Sequence, residues 1–306
     1  MAQLATTSSS HRRRLVEPVI ETVVRVCGLS AIVLVLMVFL FLAREGVPAF
    51  FEVEPGNLMG TRWYPTFGTF GLLPLIAGSL LVTLGAIALA LPLGVATAMY
   101  MRELAPTWLR GFLKPFIEIL AGIPSVVLGF LGMIAVAPLL REQLNMPTGL
   151  SAFAGSLLLA YMALPTIITV ADDAIDAVPK SYRDASLALG ANQWQTIWGV
   201  VLPAARSGVL TAVMLGVGRA IGETMAVLMV TGNAARMPDG PLALLRPVRT
   251  MTATIAAEMG EVANGSTHYH VLFGIGIVLF IITFLVNLVA SMLVLRRSSR
   301  SDYLLG

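Results

Sequence analysis

The sequence has 306 residues, of which 57% are hydrophobic and only 12% charged, and its mean hydropathy is +0.85. A soluble domain is about one quarter charged, so these values exclude a water-soluble enzyme, a disordered regulator and a secreted disulfide scaffold. The net charge of +3 and the single cysteine, Cys27, indicate neither a nucleic-acid surface nor an internal disulfide. The composition therefore predicts an all-α polytopic membrane protein.

Uncharged runs long enough to cross about 30 Å of hydrocarbon predict membrane-spanning helices. The first, Val26–Ala43, follows three consecutive arginines, as a signal peptide would. It is longer than the apolar part of a signal peptide, which favours an uncleaved helix. Four further uncharged runs are Gly71–Met101, Ile119–Leu140, Pro147–Ala171 and Val271–Leu295.

A sixth apolar run, Ser207–Ala235, carries Arg219 and Glu223 near its middle. One charge near the bilayer centre costs about 2.5–3.5 kcal/mol. The two charges have opposite signs and lie four residues apart, so we expect them to share a helix face and pair. Gly218 and Gly222 have the same spacing, which predicts the close approach of another helix.

This pair has two interpretations, a structural ion pair that fixes helix packing or a functional site on a translocation path. Intramembrane charges favour the functional one. Arg219 suits an oxyanion because its planar guanidinium can donate to two oxygens at once, with Glu223 holding or gating it. Ser125 and Thr224 could add hydroxyl donors, although for each residue alone an ordinary hydrogen bond to its own helix is the favoured explanation.

The Lys and Arg residues indicate how the chain is oriented. Six spans place both termini on one side, and that side carries 13 of the 20 basic residues against 6 on the other, with Arg219 inside the membrane. The excess predicts that both termini are cytoplasmic.

The loops predicted on the outer side carry few signals of chemistry. The aromatics of Trp63–Pro65 are expected either at the membrane interface or against a partner, and 250–263 is compatible with a short helix. His268 and His270 are two apart, a spacing that would bind metal on a strand. No third ligand is visible in the sequence, which favours an ordinary loop.

The inner loop Asp172–Arg206 is far longer than a turn between helices requires. Ser181–Asp184 fits a capping box, and Gly190 is a natural helix stop. Asn192 starts a second amphipathic helix, which Pro203 ends or kinks. The pattern alone leaves open whether the two helices lie on the membrane or dock into a cytoplasmic partner.

A family resemblance distinguishes these two alternatives. The loop resembles the EAA motif of ATP-binding-cassette importer permeases, in which the corresponding helices insert into the ATPase subunit. The residues that carry the match are Asp184, Ala185, Ser186, Gly190, Leu202 and Pro203. Asp184 stands where glutamate is usual, Ser186 replaces an alanine and Val200 an isoleucine, but the spacing is intact. The resemblance implies that these residues couple the chain to an ATPase.

Other stretches narrow the family further. Gly122–Gly129 and Gly218–Ala226 resemble both permeases of the phosphate-specific pair. Leu73–Leu80, preceded by Gly60–Pro65, resembles the PstC type rather than the PstA type, and so does Met251–Val262. The resemblance implies a type I importer permease core over 71–297, a first helix and outer loop over 26–70, and cytoplasmic tails over 1–25 and 298–306.

The resemblance also implies the function and the partners. The chain would be the permease subunit of an ATP-driven inorganic phosphate importer in a bacterial inner membrane. It would work with a PstA-type permease, two PstB-type ATPase subunits and a PstS-type phosphate-binding protein, surrounded by lipid and without nucleic acid.

The chain itself is expected to be no enzyme and to hold no cofactor or metal. Its only lysines, Lys114 and Lys180, do not follow a glycine, so ATP would bind the partner subunit. The alternatives are a permease for another oxyanion, such as molybdate or sulfate, and an ATPase-independent transporter or channel.

Overall fold

The structure is a computed structural model that describes residues 7–240 and 242–302, with side chains over 20–240, 242–289 and 291–292. The predicted tails, 1–25 and 298–306, lie partly outside these residues. The described chain contains six helices long and apolar enough to cross a membrane, which confirms the six-span prediction. They are Ile20–Glu52, Leu73–Leu104, Ser125–Leu144, Ala152–Asp176, Gln193–Gly222 and Thr267–Val289.

The regular elements follow one another with short connections. The helices are α1 Thr7–Gly46, α2 Ala49–Glu52, α3 Pro55–Leu58, α4 Leu73–Met99, α5 Thr107–Ala121, α6 Ser125–Leu131, α7 Ala137–Leu144, α8 Ala152–Asp176, α9 Lys180–Ala188, α10 Gln193–Thr196, α11 Leu202–Gly222, α12 Met225–Val230, α13 Met251–Glu258 and α14 Thr267–Asp302. Wide π turns at Tyr100–Leu104, Gly132–Val136 and Ile197–Val201 continue α4, join α6 to α7 and join α10 to α11. Strands β1 (Trp63–Tyr64) and β2 (Thr69–Phe70) form an antiparallel hairpin.

The centre of the bundle is the packing of α8 between α4 and α11. Ile167 of α8 is fully buried, and glycines face it from both neighbours: Gly94 on α4 and Gly216 on α11. The Ser151 hydroxyl accepts the Ala154 N–H and so starts α8. The Ser156 hydroxyl donates to the Val82 carbonyl of α4 at 3.1 Å. Small residues thus let three helices approach closely, as in other membrane bundles.

Two of the predicted spans are broken helices. The predicted span Ile119–Leu140 is wrong at its start, because the helix stops at Ala121 and resumes at Ser125 after Pro124. The predicted span Ser207–Ala235 is wrong at both ends. Its helix runs from Gln193 to Gly222 and stops at an extended Glu223 (φ −68°, ψ 134°), and the short α12 follows.

The first helix, α1, lies at the edge of the bundle and packs against α14. Phe39 meets Phe280 with ring centroids 5.1 Å apart, and Gly46 faces the backbone of Phe273. Apart from the exposed Glu21, Arg25 and Arg44, the rest of its described surface is open and apolar, as expected of a helix that faces lipid.

We call the side of the bundle with the 180–203 loop the basic face, and the side with residues 47–72 and 231–266 the opposite face. On the opposite face α2, α3 and the hairpin pack on α13 and the start of α14. Trp63 is buried there, so its predicted place at the membrane interface or against a partner is wrong. The predicted helix within 250–263 is confirmed, and Thr250 caps its first turn.

Candidate functional site

Arg219 lies in the last turn of α11, within a membrane span, and its side chain is exposed on the surface of the chain. Its Nη1 lies 3.5 Å from the Thr166 hydroxyl of α8. Among the described residues it has no carboxylate within ion-pair distance. The predicted pairing with Glu223 is therefore wrong.

Glu223 is separated from Arg219 by the end of the helix. Because Gly222 closes α11, the four-residue spacing no longer places both side chains on one helix face. The Glu223 carboxylate instead accepts the Ala226 N–H at 3.3 Å, at the start of α12. The Glu223 carbonyl, freed by the break, accepts the Thr252 hydroxyl of α13 at 2.9 Å. The break is thus held by a contact from the opposite face.

The packing of α6 on α12 brings the two broken helices together. A Cβ on Gly129 of α6 would lie 2.9 Å from the Ala226 Cα, so the two backbones are in close contact. Ser125 is the first residue of α6, directly after its break, and Thr224 lies within the other break, where its hydroxyl donates to the Gly222 carbonyl at 3.2 Å. Of the four predicted path residues, Ser125, Glu223 and Thr224 flank helix breaks and Arg219 precedes one by a turn.

Gly218 and Gly222 do not receive another helix within this chain. A Cβ at either position would meet nothing within 4 Å. The predicted close approach at this pair is therefore wrong for this chain, and the surface around Arg219 is open.

The 180–203 loop, here called the two-helix segment, contains α9 and α10. The predicted capping box at Ser181–Asp184 is wrong: Pro179 precedes α9, which has no side-chain cap at its start. Gly190 is confirmed as the stop, with φ +85° and with its own N–H and that of Ala191 bonded to the Leu187 and Ser186 carbonyls. Asn192 and Gln195 form the expected capping box of the second helix.

The second helix of this segment does not end at Pro203. It continues through the π turn into α11, and the turn accommodates the missing N–H of the proline. The segment is therefore continuous with the span that carries Arg219. Leu202 and Pro203 lie at the start of α11, partly buried and exposed respectively.

Much of the surface of the two-helix segment is apolar and open. Its large exposed side chains are Tyr182, Leu187, Leu189, Trp194 and Trp198. Asp184 and Ala185 of the motif are also exposed. Ser186 is buried, and its hydroxyl lies 3.0 Å from that of Thr196, which joins the two helices. A surface of this kind suits docking into a groove of another protein.

Ionic contacts hold the basic face together, and the sequence analysis did not predict them. Lys114 of α5 lies 3.3 Å from Asp173 and 3.4 Å from the buried Asp172 of α8. Burial lowers the pKa of Lys114, but the hydrogen bond and charge of Asp173 and the charge of Asp172 outweigh it, so the pKa is raised and the ammonium stays charged.

Thr166, beside Arg219, was also missed, because a lone threonine in a span carries no sequence signal.

The histidines of the opposite face bind carboxylates of the chain. His268 and His270 lie in the first turn of α14 rather than on a strand, and contact Glu258 at 2.9 Å and Glu52 at 2.8 Å. No cluster of three or more His, Cys, Asp or Glu side chains that could hold a metal occurs in the described part of the chain.

The known proteins that this chain resembles are membrane components of transport systems. Residues 90–300 match the model of a family described as the inner membrane component of binding-protein-dependent transport systems. A probable ABC transporter permease protein of Bacillus subtilis, YqgH, is 40% identical over 95% of this chain and 94% of its own length. The phosphate transport system permease protein PstC of Mesorhizobium japonicum is 34% identical over 80% of this chain and 79% of its own length. The PstC of Xylella fastidiosa strain Temecula1 is 33% identical, with 85% and 82% covered.

Solved structures with the same fold include the MetNI methionine ABC transporter in an inward-facing conformation. One of its chains aligns with 77% of this chain and 99% of its own length, at 19% identity and a TM-score of 0.55. A chain of an amino acid ABC transporter aligns over 78% of this chain with a TM-score of 0.53. The fold is therefore that of a type I importer permease.

Proposed function

The chain belongs to the family of binding-protein-dependent transport system inner membrane components, and from this premise we propose that it is the permease subunit of an ATP-driven inorganic phosphate importer. It forms half of the transmembrane pathway and couples to a separate ATPase. The phosphate transport permeases among its relatives support the choice of substrate.

The observation that carries the proposal is the exposed, carboxylate-free Arg219 within a span. An unpaired guanidinium facing lipid is costly, so such a residue belongs on a water-filled path or against an anion. Its planar fork matches two oxygens of a phosphate, and Thr166 at 3.5 Å holds one amino group without neutralising the charge. The anion supplies the missing negative partner.

The helix breaks suit the rest of the path. Glu223 and Thr224 interrupt α11 and α12, and Ser125 begins α6 after its own break. Irregular backbone at membrane depth is tolerated where it lines a cavity, since water or a ligand can then satisfy its polar groups. Ser125 and Thr224 donate hydroxyl hydrogen bonds to the passing anion, while the Glu223 carboxylate repels it and keeps binding at Arg219 weak enough for release.

The partners follow from the same assignment. A PstA-type permease supplies the other half of the path and covers the open surface at Gly218 and Gly222. Two PstB-type ATPase subunits bind ATP and receive the exposed apolar surface of the two-helix segment through Asp184, Ala185, Ser186, Gly190, Leu202 and Pro203. A PstS-type protein delivers phosphate from the other side. This chain holds no cofactor and hydrolyses nothing.

The basic face is cytoplasmic in this proposal. It carries the larger share of Lys and Arg, which supports a cytoplasmic location for both termini of a chain in a bacterial inner membrane. ATP binding closes the ATPase dimer, moves the two-helix segment and opens the path at Arg219 outward. Release of the hydrolysis products resets the path inward.

The test is radiolabelled phosphate uptake at micromolar phosphate in cells that lack the chain. The complementing proteins are wild type, Arg219→Gln, and Arg25→Gln as a charge-matched control on the surface of α1. A charge-assisted hydrogen bond is worth about 1.5–3 kcal/mol, so we expect Arg219→Gln to lower uptake roughly tenfold or more. Arg25→Gln restores uptake at equal abundance.

Two other results would contradict parts of the proposal. If cells take up phosphate equally well with and without the chain, phosphate is not its substrate. Uptake of molybdate and of sulfate would then be measured to identify the oxyanion. Full phosphate uptake in the Arg219→Gln variant would agree with the permease assignment but would contradict the role of Arg219 on the path.

A further inference from the structure

The π turn Tyr100–Leu104 at the basic end of α4 receives side chains from three other elements. Arg110 of α5 donates through Nε to the Met101 carbonyl at 2.9 Å and through Nη2 to the Arg102 carbonyl. Gln193, the first residue of α10, donates to the Glu103 carbonyl at 2.9 Å. The end of a helix leaves its last carbonyls without intrahelical partners, and here the side chains of other elements take that place.

Arg183 of α9 makes the densest of these contacts. Its Nε and Nη2 bind the Glu103 carboxylate as a fork, with Nη2 to Oε1 at 2.7 Å and Nε to Oε1 at 3.1 Å and to Oε2 at 3.3 Å. Nη1 donates to the Val178 carbonyl at 2.6 Å, and Nη2 also to the Ile175 carbonyl at 2.9 Å. One guanidinium therefore joins α9 to the ends of both α4 and α8.

The pair is well shielded, with side-chain exposures of 18% for Arg183 and 12% for Glu103. The neighbouring Arg102 of the same turn pairs with Asp176 of α8. A fork held by four acceptors permits little independent movement, in contrast to a flexible surface ion pair. The turn is thus a joint where α4, α5, α8 and the two-helix segment meet.

We propose that Arg183 and Glu103 are the positioning residues that make the two-helix segment move as one body with the basic ends of α4 and α8. The inference rests on the proposed function for its source of motion, the ATPase. The segment has covalent routes into the membrane at both ends, into α8 through residues 177–179 and into α11 through α10. The Arg183–Glu103 fork adds a non-covalent route into α4, to which the segment has no direct chain connection.

The direct test is a distance measured between spin labels in the assembled transporter. Cys27→Ser removes the single cysteine, and cysteines then replace Tyr100 in the turn and Leu187 in α9, both of which are exposed. With the fork intact, we expect the same distance with and without ATP. Arg183→Gln should make the distance change or broaden when ATP binds. Equal behaviour with and without the fork, constant or changing, overturns the proposal.

A second readout is the phosphate transported per ATP hydrolysed in proteoliposomes. We expect Arg183→Gln and Glu103→Gln to lower this ratio several-fold while the ATPase stays bound, and the double variant to be no worse than either single one. Arg183→Lys keeps the charge but cannot reach all four acceptors, so it gives a partial loss. Arg25→Gln is the matched control, because its pair with Glu21 is exposed and lies within one helix.

The two readouts separate the inference from the proposed function. If the wild type transports phosphate and Arg183→Gln transports as much phosphate per ATP hydrolysed, only the positioning role of Arg183 and Glu103 is overturned. A wild type that hydrolyses ATP without moving phosphate contradicts the proposed substrate. The spin-label distance still tests the positioning role of Arg183 and Glu103, since that measurement requires only ATP.

Discussion

At the scale of single residues, Glu258 holds the opposite face together. Its carboxylate lies 2.7 Å from Arg249 Nη1 and 2.9 Å from His268 Nε2, and accepts the Trp63 indole N–H at 3.2 Å. These donors come from the hairpin, the loop before α13 and the start of α14. One carboxylate at the end of α13 thus ties three separate stretches of the chain.

We expect Glu258→Gln to destabilise this region by about 1–3 kcal/mol, because Arg249 loses its charged partner in a mostly buried position. The measurement is thermal unfolding of the purified protein, followed by tryptophan fluorescence. Asp239→Asn is the control, since the pair of Asp239 with Arg246 is exposed and should be worth about 0–1 kcal/mol. Equal shifts in both variants would show that Glu258 is only another surface acid.

Arg219 shows at the same scale why spacing alone misleads. The sequence places it four residues from Glu223, and on an uninterrupted helix the two would pair. The helix ends between them at Gly222, and Thr252, 29 residues further on, donates to the freed Glu223 carbonyl. A contact of this range leaves no local signal, so the sequence predicted the residues of the site and not their separation.

At the scale of elements, glycines decide how closely the central helices pack. A Cβ on Gly216 would lie 2.6 Å from the Ile167 side chain, whereas one on Gly218 would meet nothing within this chain. We expect Gly216→Val to lower the stability of the isolated chain by about 1–3 kcal/mol through overpacking. Gly218→Val should leave it unchanged. Thermal unfolding in detergent compares them, and a large effect of Gly218→Val alone would contradict the packing described.

Gly190 provides a second test, within the two-helix segment. Its φ of +85° strains any residue with a Cβ, at about 1–2 kcal/mol. We expect Gly190→Ala to weaken binding of the ATPase subunit by roughly five- to thirtyfold, and Gly190→Asn to weaken it less. Gly111→Ala, at an open helical position of α5, is the control. Unchanged binding in Gly190→Ala would mean that this turn does not shape the docking surface.

The elements differ in how well the sequence predicts them. Five uncharged runs and one run with two charges predicted the six spans. Gly190, Asn192 and Thr250 marked real helix ends, because caps and left-handed stops are local. Trp63 was misplaced because it packs against residues far along the chain, and its indole N–H meets Glu258, 195 residues away. The Arg183–Glu103 fork was missed for the same reason, since its partners are 80 residues apart.

At the scale of the whole molecule, the chain has two different faces. The basic face carries an exposed apolar surface on helices anchored by ion pairs. The opposite face carries a compact cap of short helices and a hairpin. The bundle between them leaves Arg219 open on one side, where the second permease of the proposed function would complete the path.

The orientation of these faces is testable with single cysteines in a Cys27→Ser background. Phe67 in the hairpin and Leu189 in the two-helix segment have 84% and 89% of their surfaces exposed, on opposite faces. Because the basic face carries the excess of Lys and Arg, we expect Phe67→Cys to react with a membrane-impermeant maleimide in intact cells. Leu189→Cys should react only after permeabilisation. The reverse pattern would place the two-helix segment outside the cell, where no ATPase could reach it, and would contradict both the orientation and the coupling mechanism.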